Sequence, residues 1–136
     1  MKRFSIKPIG FIRSELKRRD DAPRQGFEGA PAAAVEILPS YRKALHGMQI
    51  GDAIIVITWL HRARRHVVEV HPKGDASRPL TGVFSTRSPD RPNPLGLHRV
   101  RVLKLSQAKL HVGPIEAIDG TPVIDIKPVL LESATT

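Results

Sequence analysis

The 136-residue chain carries 22 Lys and Arg against 13 Asp and Glu, a formal charge of +9, and has no cysteine. Disulfides and thiolate-ligated metals are thereby excluded, and the longest apolar run, "AIIVITWL", is strand-sized rather than membrane-spanning. One domain with a real core, a cytoplasmic setting and a polyanionic partner are expected, since neutralising phosphates releases counterions and steers association.

In chain order, "FSIKPIGFI" (4–12) reads as an edge or bulged strand because Pro8 and Gly10 interrupt it. Lys7 and Pro8 also precede any apolar region, so no signal peptide is expected. Residues 13–32 are charged and then rich in Pro, Gly and Ala, a long loop of the kind that carries function. "AVEIL" is a short strand, and "PSYRKALHG" one or two helical turns with Ser40 as N-cap and Gly47 as terminator. The β-branched run "DAIIVITWLH" predicts a strand buried on both faces. "RHVVEVH", "RPLTGVFST", "LHRVRVLKL", "KLHVGPI" and "PVIDIKPVL" read as further strands, with "SQ" and "DG" as turns. About seven short strands with short helical insertions predict an all-β, small antiparallel barrel.

The segment "RSPDRPNPLG" (87–96) interrupts this pattern. Pro89, Pro92 and Pro94 fix their own φ angles and push Ser88, Arg91 and Asn93 toward extended conformations. A loop this stiff loses little entropy when it holds a ligand, and its guanidinium, amide and hydroxyl groups suit carboxylates, phosphates or a base edge. A strand corner needs far less, so the loop is read as a binding element. The few aromatic residues are not interleaved with the basic ones, which argues against a base-stacking platform. His61, His66 and His71 recur every five residues, but an odd spacing on one strand alternates faces, and no metal site is expected.

"GVFSTRSPDRPNPLGL" resembles the signature of the TsaA/TrmO family, close to G-V-F-A-T-R-S-P-x-R-P-N-P-I-G. "PIGFIRS" (8–14), "APRQG" (22–26), "WLHRA" (59–63) with "VHPKGD" (70–75), and "IDGTPVIDIKP" (118–128) match its other motifs in order, over about residues 6–130. The resemblance implies a single TsaA-like β-barrel domain without an additional C-terminal domain. It also implies a homodimer that uses S-adenosylmethionine to methylate N6 of threonylcarbamoyladenosine beside the tRNA anticodon. Cofactor contacts carried over motif by motif are Pro23, Arg24, Gln25, His61, Arg62, Arg87, Leu97, Ile118, Asp119, Gly120 and Thr121. Arginines suit the donor's carboxylate and Asp119 its ammonium or a ribose hydroxyl; without the resemblance, Asp119-Gly120 reads as an ordinary hairpin turn.

Asp119 and His98 are candidate bases for the acceptor nitrogen, and Asn93 a candidate for orienting it. "HRARRH" (61–66) and "KRR" (17–19) are candidate phosphate contacts, whereas Glu69 and Glu116 suggest nothing specific. The chain departs from the family pattern at Asp90, which adds negative charge to the proline loop, at Val129 after "IKP" where tyrosine is frequent, and at His98 where serine is frequent. It also ends near the close of the core, where bacterial tRNA-modifying members commonly continue. Two alternatives share most of these features: a methyltransferase of the same fold with another acceptor, and a non-catalytic RNA-binding barrel.

Overall fold

The computed structural model describes residues 1–23 and 29–130. Six antiparallel strands close into a barrel in the order β1 (Gly10–Arg13), β2 (Ala33–Ile37), β7 (Lys109–Gly113), β6 (Leu95–Leu105), β3 (Ala53–Trp59), β8 (Pro122–Pro128). A separate hairpin pairs β4 (Glu69–Val70) with β5 (Thr81–Gly82). The expected all-β barrel is therefore present, with six strands in the barrel and two outside it.

Alternation of side chains builds the core. Along β6, Gly96, His98, Val100 and Val102 point inward while Leu95, Leu97, Arg99 and Arg101 face out. β2 does the same with Ala33, Val35 and Ile37, and these share one core with Ile12 of β1, Ile54 and Val56 of β3 and Val123 of β8. β3 is buried on consecutive residues Ile54, Ile55 and Val56, as its unbroken apolar run predicts.

Several elements are shorter than their sequences suggest. β1 begins only at Gly10, because Pro8 has no N–H to give to a ladder and the residues before it are exposed. Ser40 is not an N-cap: the 3₁₀ helix Pro39–Leu45 starts with Pro39, whose fixed φ suits a first helical position, after an extended Leu38. Gly47, in the left-handed region at φ 93°, ends it as expected. The strands expected at "RHVVEVH" and "RPLTGVFST" shrink to β4 and β5, since Pro72, Gly74 and Pro79 crowd their connection and Val83–Ser85 turns into a 3₁₀ helix.

Strict antiparallel order around a closed barrel sorts its connections. β1, β3 and β7 end, and β2, β6 and β8 begin, at the same rim. The connections 14–32, 60–94 and 114–121 all leave from that rim, while 38–52, 106–108 and both ends of the strand sequence lie at the other. β7 leaves β6 at Gly113, opposite Arg101, so residues 95–100 pair with β3 but not with β7. Segment 114–118 covers that gap with Ile115 and Ala117 buried.

Close approach of β1 to β2 requires Gly10, where a Cβ would lie 2.3 Å from the Glu36 carbonyl oxygen. Backbone cannot swing aside as a side chain can. Gly10→Ala should therefore cost about 1–3 kcal/mol of stability or more, read as a lower midpoint in urea unfolding with an unchanged slope.

Candidate functional site

The rim carrying the long connections gathers the sequence-predicted site residues. Pro23 lies in 14–32, His61, Arg62, Arg87 and Asn93 in 60–94, Leu97 and His98 at the start of β6, and Ile118–Thr121 just before β8. Arg24 and Gln25 lie outside the described residues. What holds the connections together is largely side chain to backbone.

Arg19 is the central tie. Its guanidinium donates to the Arg62 carbonyl at 3.1 Å and to Asp90 Oδ1 at 3.0 Å, joining the first connection to both limbs of the second. The same Asp90 oxygen accepts the Arg64 N–H at 2.8 Å, and the Arg91 N–H reaches the Arg64 carbonyl at 3.1 Å. Asp90 is thus a tether inside the loop, not the free negative charge its position suggested, because two donors converge on its mostly covered carboxylate.

The proline loop is clamped from beneath. Arg65 donates to the Pro92 carbonyl at 2.8 Å and to Asn93 Oδ1 at 3.1 Å while its guanidinium lies 5.0 Å from the centre of the Trp59 ring. The Leu60 N–H bonds the carbonyl of buried Pro94 at 2.8 Å. Arg91 folds back onto the carbonyls of Val83 and Thr86, capping the 3₁₀ helix at 83–85. Arg87 differs from both: it is exposed and forms none of these tethers. The loop thus contains two arginines in different settings, Arg91 folded onto its own backbone and Arg87 exposed without a hydrogen bond among the described residues.

The Asp119-Gly120 turn takes its form from Gly120 at φ 83°. The Asp119 N–H donates to the Leu16 carbonyl at 2.7 Å and the Gly120 N–H to Ile12 at 2.8 Å. Asp119 Oδ1 accepts the Ser14 N–H at 3.0 Å and Oδ2 faces Lys17 Nζ at 3.3 Å. The Ser14 hydrogen bond, aided by Lys17 and Arg13, holds the carboxyl below its ordinary pKa despite some desolvation. Ile118 and Thr121 turn inward, the Thr121 hydroxyl closing on the Ile118 carbonyl at 2.7 Å. The turn therefore presents an anionic carboxylate at its surface, with the Asp119 and Gly120 N–H groups and the Ile118 carbonyl already paired and those two side chains turned away.

Adjacent positions on β6 separate Leu97 from His98. Leu97 projects outward, 47% exposed, and His98 inward, 4% exposed. The imidazole is held at both ends: Nδ1 lies 2.5 Å from Glu116 Oε1 and Nε2 2.7 Å from Thr58 Oγ1. A ring sealed and satisfied this way is badly placed to collect a substrate proton. Gly96 makes room for it, since a Cβ there would lie 2.5 Å from Thr58 Oγ1 and 2.8 Å from His98 Nε2. His61 is exposed at the rim, its pKa lowered by partial desolvation and then by Arg62, which favours the neutral ring. His61, His66 and His71 do not share a strand: His61 and His66 lie in the loop before β4, and His71 follows it, with Nδ1 2.8 Å from the Arg78 carbonyl.

Sequence reasoning passed over Thr58 and gave Glu116 no role, and it read Arg19 and Arg65, within "KRR" and "HRARRH", as candidate phosphate contacts where the structure uses them as tethers. For Glu116 a signal existed, a lone acid in the apolar stretch "GPIEAI". For the tethering role of the two arginines there was none, since a basic side chain that grips a distant carbonyl looks like any solvated one.

Comparison with known proteins identifies the fold and the family. Residues 11–134 match the family described as the tRNA-methyltransferase O N-terminal domain. A probable S-adenosyl-L-methionine-binding protein of Methanothermobacter thermautotrophicus is 46% identical over 123 residues, 90% of this chain and 88% of that protein. An S-adenosyl-L-methionine-binding protein of Archaeoglobus fulgidus is 42% identical over 122 residues, covering 90% and 86%. The crystal structure of TrmO from Pseudomonas aeruginosa superposes with a TM-score of 0.78 at 30% identity, over 99% of this chain but 60% of the other. The chain thus spans about three-fifths of the length of that solved relative.

Because its folded pKa is depressed, Asp119 contributes stability above the ordinary carboxylate value of about 4 and loses that contribution as pH falls through the lower folded value. Asp119→Asn should therefore unfold at lower temperature than the parent at pH 7, with the difference shrinking below about pH 4. A gap that stays constant across that range would show that the charge contributes nothing.

Proposed function

The chain belongs to the tRNA-methyltransferase O N-terminal domain family, and we propose from that premise that it is an S-adenosylmethionine-dependent methyltransferase whose donor site is the crowded rim of the barrel. The proposed acceptor is N6 of threonylcarbamoyladenosine beside the tRNA anticodon. The observation that carries the reading is the convergence at one rim of every described motif segment that the family resemblance marks for the cofactor.

The residues present fit the donor's chemistry. Arg87, exposed on a stiff loop, can hold the carboxylate, and the anionic Asp119 can hold the ammonium or a ribose hydroxyl. Neutral His61, with Arg62 beside it, can accept or donate a single hydrogen bond to the nucleoside. Arg24 and Gln25 of the first connection complete the proposed set, with Pro23 leading into them and Leu97 supplying apolar surface outside β6. S-adenosylmethionine supplies a methyl group already activated by its sulfonium.

What remains for the protein is alignment of donor and acceptor. Asn93, gripped by Arg65, presents its amide from a loop that cannot drift, which suits orientation of the acceptor. Of the two candidate bases, Asp119 alone reaches the surface, and its lowered pKa makes it a weak one; its main part is to hold the donor, with the acceptor proton passing to it or to solvent. His98 is assigned no proton transfer.

Arg18, Arg62, Arg64, Arg65, His66 and Arg87 are exposed at this same rim and form a surface suited to an RNA backbone. The homodimer and cytoplasmic setting implied by the family belong to the same reading.

The test is incubation with S-adenosylmethionine and tRNA bearing threonylcarbamoyladenosine, followed by mass spectrometry of the digested nucleosides. A species one methyl heavier that requires the threonylcarbamoyl group is expected. No product, with the donor bound in a parallel titration, would transfer the activity to another acceptor. Arg87→Ala should weaken donor binding about 10- to 100-fold, the worth of a charge-assisted hydrogen bond, while thermal stability stays nearly constant; unaltered affinity would return the loop to a purely structural corner.

A further inference from the structure

Glu116, His98 and Thr58 form a line of carboxylate, imidazole and hydroxyl at 2.5 Å and 2.7 Å. The order is that of a hydrolytic triad, but Thr58 is 0% exposed and His98 4%. No substrate reaches that hydroxyl. The line needs another purpose, because burying a carboxylate, a ring and a hydroxyl is costly unless the arrangement is held closely.

Its members come from three separate parts of the rim. Thr58 is the penultimate residue of β3, at the irregular step where pairing with β8 shifts between Ile57 and Thr58, and it precedes the segment carrying His61 and Arg62. His98 stands on β6 beside Leu97, four residues beyond Pro94 at the end of the proline loop. Glu116 lies in the segment covering the unpaired part of β6 and leading within three residues to Asp119. Its neighbours Ile115 and Ala117 are buried, so the backbone carrying Glu116 is anchored on both sides.

We propose that His98 is a positioning residue, and that the Glu116–His98–Thr58 line fixes the Asp119 turn relative to β3 and the proline loop so that the donor site is preassembled. This rests on the donor reading given above and adds to it residues that never touch the donor. With Glu116 ionised, Nδ1 carries the hydrogen and donates to it; in the neutral ring Nε2 then accepts from the Thr58 hydroxyl. Both ring nitrogens are thereby used to fix orientation. Gly96 belongs to the same device, as any side chain there would displace the hydroxyl and the ring together.

The experiment is a titration of the full chain with S-adenosylmethionine by calorimetry, at a temperature where thermal unfolding shows every variant folded. His98→Ala and Glu116→Ala should each weaken binding roughly tenfold, and the double variant should be no weaker than either alone, as expected of groups acting as one unit. Glu116→Gln, which can still accept the Nδ1 hydrogen, should recover most of the affinity. The ¹⁵N shifts of the His98 ring should report Nδ1–H in the parent and in Glu116→Gln, and change in Glu116→Ala. If Glu116→Ala does not fold, Thr58→Val carries the same test, with a smaller expected loss. Folded variants that keep parental affinity would overturn the proposal and leave the line a packing feature alone, as would a folded Glu116→Gln no better than Glu116→Ala. A parent chain that binds no S-adenosylmethionine would instead sink the donor reading, and the positioning role with it.

Discussion

Closure of the barrel is the constraint from which the rest follows. Once six antiparallel strands close on themselves, every connection belongs to one rim or the other, and the lengths are shared very unequally. One rim receives 14–32, 60–94 and 114–121; the other receives short turns and one 3₁₀ helix. Motifs far apart in sequence thereby become neighbours. The barrel wall supplies rigidity, and the chemistry is left to segments that would have no fixed form by themselves.

Those segments are held mainly by arginines reaching backbone carbonyls, and this changes how the chain's charge is understood. Arg19 and Arg65 each use two nitrogens of their planar forks to hold two groups at once, and Arg91 holds the Val83 and Thr86 carbonyls through Nη2. Their charges still contribute to the field of the rim, but part of their donor capacity is already employed. Arg87 is the contrasting case, exposed and without a hydrogen bond among the described residues. A net charge of +9 therefore overstates how many guanidiniums are free to grip a polyanion. Lysine at the three tethering positions would preserve the charge and lose the architecture.

The barrel was legible in the sequence because period-two burial leaves a direct trace, as in the inward Val100 and Val102 of β6 and the unbroken core run of β3. The hairpin β4–β5 was legible only in part: its apolar residues looked like full strands, and the prolines around them decided otherwise. The site divided along similar lines. Prolines 89, 92 and 94 announced a stiff loop, and Gly120 a turn. The orientation of Leu97 against His98 needed the register of β6, and the pairing of His98 with Glu116 spans 18 residues that no local pattern connects. Asp90 is the clearest example. Its charge was visible, but its meaning depended on Arg19, 71 residues away.

Trp59, the single tryptophan of the chain, ends β3 beneath Arg65, which in turn holds Asn93. An indole stacked under a cation senses any rearrangement of that cation through its excited state. The chain consequently carries an intrinsic optical reporter at the base of its stiffest loop, and the emission of one residue tracks whether the two limbs of the rim are still clasped.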